Sequence, residues 1–156
     1  MDRDIDYHMA TAVFHIDMVA AGNRSTYKGM FKVKCLISPL ELINSDALYR
    51  KLLGEVNPNF ASEYISSLSY ALSQLKYRII DSPAWYQNTS NLDGSHVDDA
   101  ILLKIFDEAV ECEAEYRKGI EENYKNAKNA VVEAVDAGTL TNGQEQPTED
   151  KDETED

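Results

Sequence analysis

The side chains best placed for chemistry in this sequence are carboxylates. Glu108, Glu111 and Glu115 recur at helical spacing around Cys112, and His96 and Asp99 lie one turn apart. Steps of three and four residues bring such groups together on one helix face, which raises the question of a metal site. A carboxylate-bridged metal pair held by a helical bundle takes Glu-x-x-His pairs from facing helices. The residues three before His8, His15 and His96 are Ile5, Ala12 and Asp93, so that pattern fails and the run reads as a solvated acidic helix face. The seven glycines are scattered, and no pair of them fits a phosphate-binding loop or a dinucleotide fingerprint. His15 shares a strand face with Asp17 and could donate a proton, but an exposed sheet histidine accounts for it as well. Cys35 and Cys112 stand 77 positions apart. They make neither a disulfide framework nor a zinc pattern and read as reduced, packed thiols. No catalytic, cofactor-binding or metal-ligating residue is assigned, and the expectation is a protein that is not an enzyme.

Charge says more than chemistry does. The chain has 156 residues and a formal charge of −13, but the charge is segregated. Residues 1–97 hold ten acids and nine bases, residues 98–135 ten acids and five bases, and residues 136–156 eight acids and Lys151 alone. The final segment offers one large apolar side chain, Leu140, too little to offset the entropy of ordering, and is expected to be a disordered acidic tail. Between Met18 and Leu40 there is no acid, and Arg24, Lys28, Lys32 and Lys34 form a basic patch. No stretch approaches the roughly 18 apolar residues of a membrane span, and the first residues lack the pattern of a signal peptide. The expectation is one domain, 1–135, that neither spans nor binds a membrane and is not secreted through a signal peptide.

The elements that must carry these residues are legible from periodicity. Phe14, Ile16 and Met18 alternate with Val13, His15 and Asp17. Tyr27, Phe31, Val33, Cys35 and Ile37 oppose Lys28, Lys32 and Lys34. Both patterns are those of half-buried strands, and they predict an antiparallel hairpin over 11–37. A lone hairpin is marginal in water, so its apolar face must lie on helices or on strands from another copy. Ser38-Pro39-Leu40-Glu41 combines an N-cap, a first-turn proline and a capping glutamate. It predicts a helix over about 39–53 with Leu40, Ile43, Ala47, Leu48 and Leu52 inward. Asn57-Pro58 predicts a second helix over 58–80, with Ala61, Tyr64, Ile65, Leu68, Ala71, Leu72, Leu75 and Ile79 at helical spacing. The third, 96–135, carries Val97, Ile101, Ile105, Ala109, Cys112, Tyr116, Ile120, Tyr124, Ala127, Val131 and Val135 at steps of three and four. At ~1.5 Å per residue it would span about 58 Å, close to twice a small domain, unless Gly119, which costs roughly 1 kcal/mol against alanine, breaks it. The fold class is α+β and mostly helical: an N-terminal hairpin packed on three helices, the last one long.

Tyr27-x-Gly29-x-Phe31-x-Val33-Lys34, the capped Ser38-Pro39 helix closing at Leu52-Leu53-Gly54, Leu72-x-Gln74-Leu75-Lys76-Tyr77-Arg78-Ile79 and Pro83-x-Trp85 together resemble the small structural or assembly proteins of tailed bacteriophages, including their tail assembly chaperones. The resemblance covers residues 27 to about 116. It implies a non-enzymatic part made for contact with other viral proteins, in the host cytoplasm or the virion. The residues expected to make contact are Trp85 and Tyr86, read either as a hot spot that enters a partner's pocket or as a loop anchor folded back onto the core, and Tyr116, Ile120, Tyr124, Val131 and Val135, as a helix-to-helix seam. The partners expected are phage structural proteins and further copies of the chain. Direct nucleic-acid binding is disfavoured, because the aromatics and the lysines of the hairpin fall on opposite faces and the whole chain repels phosphate. The alternative is an acidic mimic of DNA that occupies a nucleic-acid-binding enzyme, with Asp98, Asp107, Glu111, Glu115, Glu121 and Glu122 as phosphate surrogates.

Overall fold

The structure is a computed structural model that describes residues 3–20, 24–54, 61–87 and 97–136. The hairpin is present as β2, Thr11–Val19, and β3, Thr26–Lys34, paired antiparallel with Phe14 opposite Phe31 and Asp17 opposite Lys28. Alternation sorts the faces as expected. Phe14, Ile16, Tyr27, Phe31, Val33 and Cys35 are buried, while His15, Asp17, Lys28 and Lys32 face solvent.

Two more strands close the sheet, and both come from this chain. The first, β1, Arg3–Asp6, pairs with β2. The last, β4, Ile79–Asp81, pairs with β3 through an irregular register at Lys32 and Val33, giving the order β1-β2-β3-β4. The second helix is therefore shorter than expected: α2 is Glu63–Arg78, capped by Ser62, and the chain turns extended at Ile79. Ile79 and Ile80 are β-branched, and one edge of β3 is still unpaired, so the ladder takes over from the helix. The start expected at Asn57-Pro58, the turn residues 21–23, His96 and the tail beyond Asp136 lie outside the described residues.

The first helix, α1, Pro39–Leu53, has the full capping box of Ser38 and Glu41 and stops at Gly54. Its inward face differs from expectation. Leu40 is 67% and Ile43 66% exposed and Ala47 is also exposed, while Ser45 and Leu53 are buried. The reason is a polar seam against α2. Ser45 Oγ donates to Ser73 Oγ at 3.3 Å, Gln74 Nε2 donates to Ser45 Oγ at 2.8 Å, and Ser73 Oγ donates to the Tyr70 carbonyl. Small hydroxyl residues let two helices approach closely, and once buried they must keep their partners, so they fix the rotation of α1 and turn Leu40 and Ile43 outward. On α2, Ala71 and Leu75 are buried as expected, whereas Tyr64 and Ile65 are exposed.

A short helix, α3, Ala84–Gln87, precedes α4, Asp99–Asp136, which is helical through Gly119. Val97, Ile101, Ile105, Ala109 and Cys112 join the sheet's inner face in one core. Both cysteines are free and fully buried, and burial pushes each thiol up to about 11. Gly119 is explained by packing: a Cβ there would collide with the ring of Tyr7, which stacks on Tyr116 at 5.7 Å. The chain divides into two units, Met1–Ile120 and Glu121–Asp156.

Gly29 sits on the inner face opposite Ile16 with φ +154°, and the Pro83 ring occupies the space a Cβ would need. Gly29→Ala combines a backbone conformation rare for L-residues with overpacking. It is expected to cost about 2 kcal/mol, measured as a lower urea midpoint at unchanged slope.

Candidate functional site

The carboxylates that opened the search converge on an arginine. The sequence Arg3-Asp4-Ile5-Asp6 alternates at period two, so Arg3 and Ile5 point to the inner face of the sheet, and Arg3 meets α4. Its Nε donates to Glu108 Oε2 at 2.9 Å, and its guanidinium also reaches Glu111 and Glu115. Lys104, one turn earlier on α4, contacts the other oxygen of Glu108 at 2.6 Å. Glu108 is 1% exposed, which corrects the reading of this run as a wholly solvated face: its innermost member is a buried, doubly paired anion. Burial pushes the Glu108 carboxyl up, but hydrogen bonds from Lys104 and Arg3 more than offset this and hold it below the usual carboxylate range. Among the described residues no group of three or more His, Cys, Asp or Glu is disposed to hold a metal ion.

A second ion pair crosses from α2 to α4. Arg78, buried, donates from NH2 to Glu113 Oε2 at 2.5 Å and from NH1 to the Cys35 carbonyl at 3.4 Å, and Arg117 binds the other oxygen of Glu113. Desolvation raises the Glu113 carboxyl, and the bonds from Arg78 and Arg117 outweigh it, so it too lies below the usual range. Arg78 Nε has no hydrogen-bond partner. These groups form one wall of an open groove of about 590 Å³, whose apolar walls include Leu42, Tyr70, Phe106 and Val110. With two guanidinium groups on one carboxylate, the groove carries net positive charge.

The residues expected to make contact separate into two sets. Trp85 and Tyr86 turn into the fold: Trp85 stands edge-on to Tyr27 at 5.0 Å and to Phe31, its Nε1 donates to the Lys28 carbonyl, and Tyr86 packs on Phe31. Tyr116 is half-buried beneath Tyr7. Ile120 is partly exposed, and in the unit that follows Tyr124 is 71% and Val131 57% exposed, with Val132 beside them. Val135 lies one turn from Val131 on the same helix. Tyr124, Ala127, Lys128, Val131 and Val132 border a shallow hollow of about 350 Å³.

The basic patch is diluted by acids that the structure brings to it. Lys28 pairs with Asp17 across the hairpin at 2.8 Å, Lys34 binds Glu41, and Lys32 lies opposite Asp81 of β4 in the ladder. Lys34 and Ser38 together hold the Glu41 carboxyl down near 2. Arg24 is exposed with φ 54°. Reading the sequence alone missed Arg3, Arg78 and Glu113. The period-two run at Arg3 was the available signal for the first, and nothing local marks the pairing of the other two.

A scan of protein-family models, a search of curated proteins and a search of solved structures each return no match to this chain. No helix among the described residues is long and apolar enough to cross a membrane.

Replacing Arg3 by Met would leave Glu108 buried with Lys104 alone. The expected loss is near the low end of the roughly 3–5 kcal/mol for breaking a buried pair, read from chemical denaturation at pH 7. The sign of the pH dependence follows from the depressed carboxyls. Glu108 and Glu113 lie below their ordinary 4.5, so their contribution is fully present above that pH and disappears as pH falls through the folded values. Stability of the unmodified chain should therefore decline steeply below about pH 4.5, and the Arg3→Met chain should show a shallower decline.

Proposed function

We propose that the chain is a non-enzymatic interaction protein, with its contact surface on the far part of α4, working in the assembly of a tailed-phage particle. The observation that carries the contact role is the exposure of Tyr124, Val131 and Val132 along one strip of helix. A polar helix that meets only water has no use for large apolar residues at steps of seven and one, and their burial by another protein is the favourable event. The placement in phage assembly is supported by the resemblance over residues 27 to about 116. Its partners are protein: viral structural components or copies of this chain. The intrachain packing of Trp85, Tyr86 and Tyr116 takes those rings out of the proposed surface.

The DNA-mimic alternative is weakened by the pairing of its surrogates. Glu111 and Glu115 share Arg3 with Glu108, and Glu121 is paired with Lys125, whereas a mimic must present its negative charge unpaired at phosphate spacing.

Ile120→Asp and Val131→Asp place a carboxylate within the strip. Each should lower the mass of complexes seen by native mass spectrometry and reduce capture of a purified structural protein at least tenfold, with the hydrogen-exchange protection of residues 11–112 unchanged. Wild-type mass and wild-type capture in both variants would overturn the assignment of the surface.

A further inference from the structure

We infer that the strip on α4 pairs with the same strip of a second copy, and that the two helices run antiparallel. The inference rests on the contact role just proposed and specifies its partner. Tyr124, Ala127, Lys128 and Val131 stand at i, i+3, i+4 and i+7 and surround the hollow described above. Four residues at those offsets are the hole into which a facing helix inserts one side chain in knobs-into-holes packing.

The direction follows from side-chain size and charge. In heptad register Tyr124 and Val131 fall at a, Ala127 and Ala134 at d, and Glu121 and Lys128 at e. Parallel pairing sets like on like: two tyrosines crowd one layer and two alanines leave the next unfilled, while Lys128 faces Asn123. Antiparallel pairing sets a against d, so each Tyr124 covers the Ala127 of the other copy, and the large ring enters the hole that the small residue leaves open. It also sets e against e, which brings Glu121 of each copy to Lys128 of the other, two ion pairs related by the two-fold axis. One surface thus complements itself, as an isologous interface requires. Glu121 already holds Lys125 of its own helix in an exposed pair, and an exposed carboxylate can accept from both lysines. About two heptads on each copy bury less than a standard interface of roughly 1,200–2,000 Å², so the association is reversible and concentration dependent.

Sedimentation equilibrium of the full chain over a wide concentration range, at low and moderate salt, reads the association. A monomer–dimer equilibrium is expected, weakened by salt. Glu121→Lys and Lys128→Glu should each raise the dissociation constant about tenfold, and the two changes together in one chain should restore it. Direction is read by oxidation of cysteine variants, with the buried native thiols as a silent background. Across an antiparallel pair with Tyr124 over Ala127, two copies of residue 131 are separated by about 16 Å along the axis. Val131→Cys alone should therefore give no disulfide dimer, whereas a mixture of Val131→Cys with Ile120→Cys should. A chain that stays monomeric throughout, a double charge reversal that fails to restore pairing, or a rapid Val131→Cys homodimer would each overturn the inference. If the chain stays monomeric while Val131→Asp still abolishes capture of a heterologous structural protein, self-pairing fails and the contact role survives.

Discussion

The buried carboxylate of Glu108 has to be neutralised, and that requirement ties the first strand to the last helix. An ion of this kind in the interior costs several kcal/mol in lost hydration unless cations and hydrogen bonds replace the water. Lys104 and Arg3 together supply the replacement, and Arg3 can take part only if β1 pairs with β2 in the observed register, with Arg3 opposite Phe14 on the inner face. The same register places Ile5 over Ala12 beside the core. Arg3 is also planar and multidentate, which lets one residue serve Glu108, Glu111 and Glu115 together. Lysine at this position could not hold three carboxylates spread over two helical turns.

A different polar constraint governs α1. Ser45, Ser73 and Gln74 exchange hydrogen bonds in a place where leucine would give more hydrophobic stabilisation. The exchange costs apolar burial and gives a defined rotation, since a buried hydroxyl cannot slide past its partner without losing it. The consequence is visible on the other side of the helix, where Leu40, Leu42 and Ile43 meet solvent. Exposure of α1 is thus the result of a specific inward contact and not of loose packing.

These two polar arrangements mark the boundary of what the sequence disclosed. The hairpin, the start and stop of α1, and the continuity of the apolar stripe from Val97 to Cys112 are written in local patterns: alternation, a capping box and steps of three and four. The structure follows them closely. Apolar periodicity points Leu40 and Ile43 of α1 inward, and the buried Ser45 overrules it. A serine becomes a core residue when a partner for its hydroxyl stands within reach, and for Ser45 the partners, Ser73 and Gln74, are 28 and 29 residues away. The strand at Ile79–Asp81 was hidden for a similar reason: Ile79 and Ile80 continue a helical pattern as well as they begin an extended one, and only the open edge of β3 decides between them. At the candidate site, periodicity placed Ile120, Tyr124 and Val131 on one strip. Trp85, Tyr86 and Tyr116 belong to the same residue classes, yet ring partners from distant segments claim them.

The acids of α4 differ in where their cations come from. Glu108, Glu111 and Glu115 share Arg3 of β1, and Glu113 receives Arg78 of α2, so these pairs fix elements to one another. Glu121 receives only a lysine of its own helix, an exposed pair of the kind worth little to stability. Among the described residues from Glu121 onward, Tyr124, Val131 and Val132 are exposed, and Glu121 beside them pairs with Lys125 of the same helix. Local pairing leaves carboxylate and ammonium groups accessible for a second contact at little desolvation cost, which is the electrostatic condition for reversible recognition. Buried, arginine-locked carboxylates lack it. The carboxylates held by Arg3 and Arg78 therefore tie separate elements together, whereas Glu121 is held by a neighbour on its own helix and stays accessible.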